Sequence, residues 1–230
     1  MLEIKNLRKN YGNIQALKGI NINIEPGQVV GLLGPNGSGK TTIIKILTGL
    51  LTDFEGEVSI DSKKPGFLAN NIISYLPDKS HIPTWLSVEK AADLFKDFYT
   101  DFDKERALGM LNSMEIDLKR KIKKLSRGQQ EKVGLALTMS RKAKLYILDE
   151  PIGAVDPASR DFIMDTILKN HNEGSSILLS SHIISDIEPS LDRAIFLKSG
   201  EIFLEGNAEQ LREEKEMSLD NLFREIFKVV

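Results

Sequence analysis

A chain of 230 residues, 41% hydrophobic and 28% charged, can bury a core and is not a disordered polymer; its length suits one large domain or one domain with an insertion. Its 31 basic and 33 acidic residues leave a net charge of −2, so no global field draws it to nucleic acid or anionic lipid. There is no cysteine, which excludes disulfides and thiolate metal sites and fits a reducing cytosol. No stretch approaches the roughly 18 consecutive apolar residues of a membrane-crossing helix. The first ten residues, MLEIKNLRKN, alternate charge with apolar groups and lack a signal-peptide core. Any membrane component is therefore expected from another chain.

In chain order, residues 2–7, 20–24 and 29–33 read as short strands, punctuated by Tyr11-Gly12 and Pro26-Gly27 turns. Residues 41–51 (TTIIKILTGLL) are apolar on most faces and predict a buried helix. Strands follow at 57–60 and 72–76. The character then changes. Val88, Ala91, Ala92, Phe95, Phe98 and Tyr99 recur at helical spacing, and Leu108, Leu111 and Met114 predict another helix. No strand is expected over about 79–141. Alternation then resumes, with strands at 145–148, 177–180, 194–197 and 201–204 and a helix at 158–169. Strands alternating with helices argue a mostly parallel α/β sheet, and the all-helical stretch argues an insertion. Residues 207–230 read as charged and helical. There Leu219, Leu222, Phe223, Ile226 and Phe227 form one apolar face for packing on the parent domain, the alternative being a partner chain. There is no internal repeat.

Gly34-Pro35-Asn36-Gly37-Ser38-Gly39-Lys40-Thr41 fits the phosphate-loop pattern in full, after an apolar strand and before a helix. The glycines let backbone N–H groups turn toward phosphates, and the helix start adds its positive dipole end. Lys40 is suited to the β- and γ-phosphates of ATP, and the Thr41 hydroxyl to Mg²⁺; Thr42 completes the loop. A second motif, Leu145 to Glu150 (LYILDE), is an apolar strand ending in two carboxylates. Asp149 can hold Mg²⁺ at the strand's carboxyl end, and Glu150 can orient or deprotonate an attacking water, which favours hydrolysis. A helix cap is the plainer reading of the pair taken alone.

This order of motifs resembles the ATP-binding subunits of ABC transporters, over essentially the whole chain. Leu125-Ser126-Arg127-Gly128-Gln129 is similar to that family's signature sequence. The resemblance implies a RecA-like P-loop core with an antiparallel β region and an inserted helical subdomain. It makes 1–230 a single ATPase domain, with 1–78 and 142–230 as the nucleotide-binding core and 79–141 as the signature-bearing unit. It further implies a head-to-tail homodimer, or a heterodimer with a similar ATPase, in which Ser126, Gly128 and Gln129 face ATP held by the partner. An integral-membrane transporter subunit would dock near Asp78 and the helical insertion, placing this chain in the cytoplasm at the inner face of the membrane. A bacterial exporter is the nearest likeness. The transported substrate is not legible.

The same resemblance assigns His182 as the switch histidine beside the γ-phosphate and Glu150. Asp156, in Gly153-Ala154-Val155-Asp156, becomes a contact to the other subunit, the alternative being a turn before a helix. Tyr11 falls where the family stacks a ring on adenine. Two positions depart from the pattern. Asp78 stands where a glutamine is usual; it either reaches Mg²⁺ from the site side or caps a segment beginning at Lys79. Arg127 replaces a glycine. The basic run Lys119 to Lys124 reads as a solvated face, since no aromatic residues interleave with it as a nucleic-acid platform requires. No nucleic-acid partner is expected.

Overall fold

The computed structural model describes residues 1–153 and 155–228. β1 (Leu2–Tyr11) and β2 (Ile14–Ile24) pair antiparallel around a tight turn, where Gly12 takes φ +57°. Both strands run beyond their apolar ends, because the hairpin ladder carries the polar residues near the turn with it. β3 (Val29–Leu33) is buried along its whole length, as a strand covered on both faces must be.

α1 (Lys40–Leu47) follows the glycine loop and fully buries Ile43, Ile44, Ile46 and Leu47. At roughly 1.5–3 kcal/mol per buried aliphatic side chain, that face fixes the helix against the sheet. It ends four residues before the expected 51. Gly49 adopts φ +72°, and its N–H donates to Ile46 while Leu51 N–H reaches back to Lys45, so the carbonyls at the helix end are satisfied by a left-handed turn. The apolar period had masked that stop.

β4 (Glu55–Ile60) then pairs with β1, completing a three-stranded antiparallel sheet in the order β2-β1-β4. A one-turn helix α2 (Phe67–Asn70), too short to leave a periodic signal, precedes β5 (Ile73–Leu76). Three helices follow, α3 (Val88–Phe98), α4 (Lys104–Ser113) and α5 (Arg127–Met139), and no strand of either sheet lies between 79 and 141 among the described residues. Ser87 and Asp103 cap α3 and α4 through their side chains.

β6 (Leu145–Asp149), α6 (Pro157–Asn170), β7 (Ser176–Ser181), β8 (Arg193–Lys198) and β9 (Glu201–Asn207) restore the alternation. The second sheet has the order β5-β6-β7-β3-β8-β9, parallel except for β9. The predicted helical tail is two helices, α7 (Ala208–Lys215) and α8 (Leu219–Ile226), not one. Glu216 in the left-handed region stops the first and Ser218 caps the second. Leu219 and Leu222 are buried in the core, with Phe223, Ile226 and Phe227 packed against it; residues 229–230 of that expected segment lie outside the described residues.

Candidate active site

The register of the parallel strands brings three carboxyl ends to one edge. Leu33 pairs with Ser181 and Asp149 with Ser180, so the loops after β3, β6 and β7 open side by side beside a cavity of ≈ 370 Å³. Such an edge is where open α/β sheets bind ligands. Asn36, Gly37, Gly39, Lys40, Thr41, Thr42, Asp78, Asp149, Glu150 and His182 share that lining, with Arg127 at its rim.

The loop after β3 needs its glycines. A Cβ on Gly34 would lie 2.5 Å from the Leu197 carbonyl oxygen and 2.6 Å from Ser38 Oγ. Gly39 begins α1 at φ +114°, and no side chain caps the free N–H groups of that helix start. They remain free for an anion. Lys40 is 5% exposed, and its Nζ donates to the Gly34 carbonyl at 2.6 Å and the Pro35 carbonyl at 3.3 Å. Burial lowers its pKa, opposed by the charges of Glu150 and Asp149. A lysine held against its own loop carbonyls is one that an arriving phosphate can engage without a large movement. Ser38 Oγ is buried with no hydrogen-bond partner among the described residues.

The loop after β6 carries the carboxylates. Asp149 Oδ1 accepts from Ser180 Oγ at 2.5 Å, and burial raises the Asp149 pKa, with Glu150 and Asp78 pushing the same way. Glu150 sits at φ +52°, a conformation that costs a non-glycine residue energy and recurs at functional sites. Ser180 holds it there, since the Glu150 N–H donates to both the Ser180 carbonyl and Oγ at 3.1 Å. Its side chain meets His182 Nδ1 at 2.8 Å through Oε2, while Oε1 lies 3.6 Å from Lys40 Nζ and is buried without a hydrogen bond. Glu150 is thus suspended between the Lys40 ammonium and an imidazole.

Ser180 is the functional residue the sequence reading missed. A pair of hydroxyls closing an apolar run (ILLSS), the first of them two residues before His182, was the available signal.

Of the remaining candidates, Ser126, Gly128, Gln129, Tyr11 and Asp156 lie outside that lining. Ser126 caps α5 in a closed capping box: its Oγ accepts from Gln129 N–H at 3.2 Å, and its own N–H donates to Gln129 Oε1 at 3.0 Å. Gly128, in the first turn, has nothing within 4 Å of where a Cβ would lie. Tyr11 lies half exposed at the hairpin end with Lys9 Nζ 5.2 Å from its ring centroid, outside the cavity lining. Asp156 caps α6 by accepting from Ser159 N–H at 3.1 Å; Ala154 of the same motif lies outside the described residues. Asp78 is exposed, makes no hydrogen bond among the described residues, and no helix begins at Lys79 for it to cap.

A divalent cation fits the donor set. Thr41 offers a hydroxyl and Asp149 and Asp78 offer carboxylates, all hard oxygen ligands, and a cation beside Asp149 would favour the charged form that burial, with Glu150 and Asp78 adding to it, disfavours.

The family model described as "ABC transporter" matches residues 17–153. The lantibiotic transport ATP-binding protein SrtF of Streptococcus pyogenes is 34% identical over 212 residues, 89% of this chain and 90% of that protein. The SkfA peptide export ATP-binding protein SkfE of Bacillus subtilis is 29% identical over 222 residues, covering 94% and 93%. Among solved structures, a dimeric ATP-binding cassette in a post-hydrolysis state bound to ADP and Pi superposes with a TM-score of 0.79 at 29% identity, over 90% of this chain and 99% of that one.

Proposed function

This chain belongs to the ABC transporter family and is one of its ATP-binding, ATP-hydrolysing subunits with a RecA-like core; from that premise we propose that two copies pair head to tail and drive export through a separate membrane-spanning subunit. The observation that carries the reading is the contact of Glu150 with His182 at 2.8 Å beside the Lys40 loop. Residues 34–42 hold the phosphates of ATP. Glu150 takes a proton from water as its oxygen attacks the γ-phosphorus, the bond to the β–γ bridging oxygen breaks, and ADP and phosphate leave. His182 positions Glu150 and contacts the γ-phosphate. Mg²⁺, held by Thr41 and Asp149 with Asp78 nearby, would neutralise phosphate charge when bound.

Residues 79–141 act as the signature unit. Ser126, Gly128 and Gln129 meet the γ-phosphate in the other copy, because an exposed helix start with a hydroxyl suits an anion. Asp156 faces the other copy, and Tyr11 stacks on adenine. Export of a peptide is taken from the likeness to SkfE, a peptide export ATP-binding protein, beside SrtF, a lantibiotic transport one. Among the described residues no helix is long and apolar enough to cross a membrane; the family likeness gives the pore to the partner and sets this chain at the cytoplasmic face.

Complementation tests the arrangement. A Lys40→Ala chain and a Gly128→Glu chain should each fail to dimerise with ATP. Mixed, they should form a dimer by light scattering, since one of its two sites draws an intact loop and an intact signature from different chains. A mixture that stays monomeric overturns the head-to-tail reading.

A further inference from the structure

The basic run has an aromatic companion that the sequence separates from it by more than thirty positions. The segments 84–87 and 121–123 lie side by side: Ile122 N–H donates to the Leu86 carbonyl at 2.9 Å, Lys123 N–H to the Thr84 carbonyl at 2.9 Å, and Ser87 bridges Lys121 antiparallel. Leu86 and Ile122 turn into the core, at 8% and 1% exposure. Their neighbours turn outward. Trp85 is 68% exposed, and Lys119, Arg120, Lys121, Lys123 and Lys124 are all exposed with no ion pair among the described residues. Asp117 and Glu89 are the acidic residues whose backbone or side chain bonds residues 118–120. Asp117 Oδ1 accepts from the Lys119 backbone, and Glu89 follows Val88, whose N–H bonds the Arg120 carbonyl. Five cations against these two leave the face positive on a chain whose net charge is −2.

We propose that this face, Trp85 with Lys119, Arg120, Lys121, Lys123 and Lys124, lies against the anionic headgroup surface of a lipid bilayer. Three features choose lipid over the other occupants of a basic surface. The cations are four lysines and one arginine, and lysine is depleted in protein–protein interfaces whereas polybasic lipid contacts need only loose, flexible charge. One large exposed indole beside them is the residue type enriched at the headgroup level of membranes. A single aromatic is no platform for successive bases, which sequence-tolerant nucleic-acid binding uses. The proposal rests on the reading above only in that a membrane-spanning partner brings the chain to a bilayer. The surface would then set the tilt of the helical unit and raise the chain's local concentration at its partner.

Trp85 is the only tryptophan in the chain, so its fluorescence reports this face alone. With the full-length protein and no nucleotide, vesicles rich in phosphatidylglycerol should shift Trp85 emission to the blue and sediment the protein, and pure phosphatidylcholine vesicles should do neither. Each cation removed should weaken partition about fivefold, so Lys119→Gln/Lys121→Gln/Lys123→Gln should lose about a hundredfold while its ATP turnover stays at the wild-type rate. Trp85→Phe, followed by sedimentation, should weaken binding less. No blue shift with anionic vesicles at low salt, equal binding by the triple variant, or tighter binding to a single-stranded oligonucleotide overturns the proposal. Normal ATP hydrolysis alongside any of these leaves the proposed function standing, because the vesicle assay requires no turnover.

Discussion

The loop end of the large sheet and the start of α5, the two halves of the proposed nucleotide site, differ in what is already in place. At the sheet edge, Lys40, Asp149, Glu150, Ser180 and His182 are locked together by contacts of 2.5–3.6 Å within one chain. At the helix start, the Ser126 and Gln129 side chains each accept from the other's backbone N–H, and Gly128 has nothing within 4 Å of where a Cβ would lie. The first region is built for chemistry and strained for it, as the positive φ of Glu150 records. The second is relaxed and unoccupied by its own chain. A site with one preorganised half and one exposed half is completed by association, so ATP itself can glue the dimer and its loss can release it.

The largest effect should come from the base. Glu150→Gln keeps the shape and the positive-φ backbone but removes proton acceptance, so steady-state turnover should fall by about 10²–10⁴-fold while ATP still binds. A phosphate-release assay beside a nucleotide-binding titration reads both. Turnover near wild type would mean that another group takes the proton and that the sheet edge is not the preorganised half.

Next is Lys40→Ala. It removes a buried cation from the phosphate cradle, and a hydrogen bond to a charged group is worth about 1.5–3 kcal/mol, so ATP affinity should fall at least tenfold. Titration with a fluorescent ATP analogue measures it. Unchanged affinity would take residues 34–42 out of the site.

How much of this was legible follows the same division. Glycine spacing, an apolar strand before it and paired carboxylates after another are local patterns, so the cradle, Asp149 and Glu150 stand out in the sequence. The strands and the helical stretch are carried by periodicity for the same reason. What stayed hidden depends on tertiary register. Ser180 matters because it lies opposite Asp149 across a parallel ladder, and Trp85 because its segment, 84–87, lies beside 121–123. Gly49 stops α1 through its backbone, where an apolar count sees only more helix. The place of Tyr11 came from resemblance alone, and the ring lies outside the cavity lining.

Arg127 tests the exposed half more gently. Its Nε lies 3.4 Å from Glu131 Oε1, one turn along α5, and the side chain is largely solvated, so the pair is worth little. Glu131 has its pKa raised by burial, opposed by Arg127. Arg127→Gly therefore costs some helix propensity, about 1 kcal/mol at most, and should leave hydrolysis within about tenfold. A greater loss would show that Arg127, at the rim of its own chain's cavity, acts on the nucleotide directly.

The smallest effect, and the sharpest on where the two halves meet, belongs to Asp78. It lines the nucleotide cavity and also a second one, of ≈ 380 Å³, that runs between the sheet edge and α3 past Tyr75, Phe98 and Glu131. Its negative charge is felt on both sides. Burial pushes the Tyr75 phenol up to about 12, with Asp149 and Asp78 adding to it, and Asp78 contributes to the raised pKa of Asp149 and of Glu131. Nothing among the described residues hydrogen-bonds its carboxylate, so its anchor is expected from outside: the cation on one side, the membrane subunit on the other. Asp78→Ala should then leave ATP affinity within about twofold and lower hydrolysis about threefold, with the loss appearing chiefly when the membrane subunit is reconstituted. Asp78→Gln, which keeps a carbonyl acceptor and adds a donor, should recover part of it. An alanine variant with the same deficit in the isolated chain and in the reconstituted complex would assign Asp78 to the cradle alone and leave coupling to the helical unit.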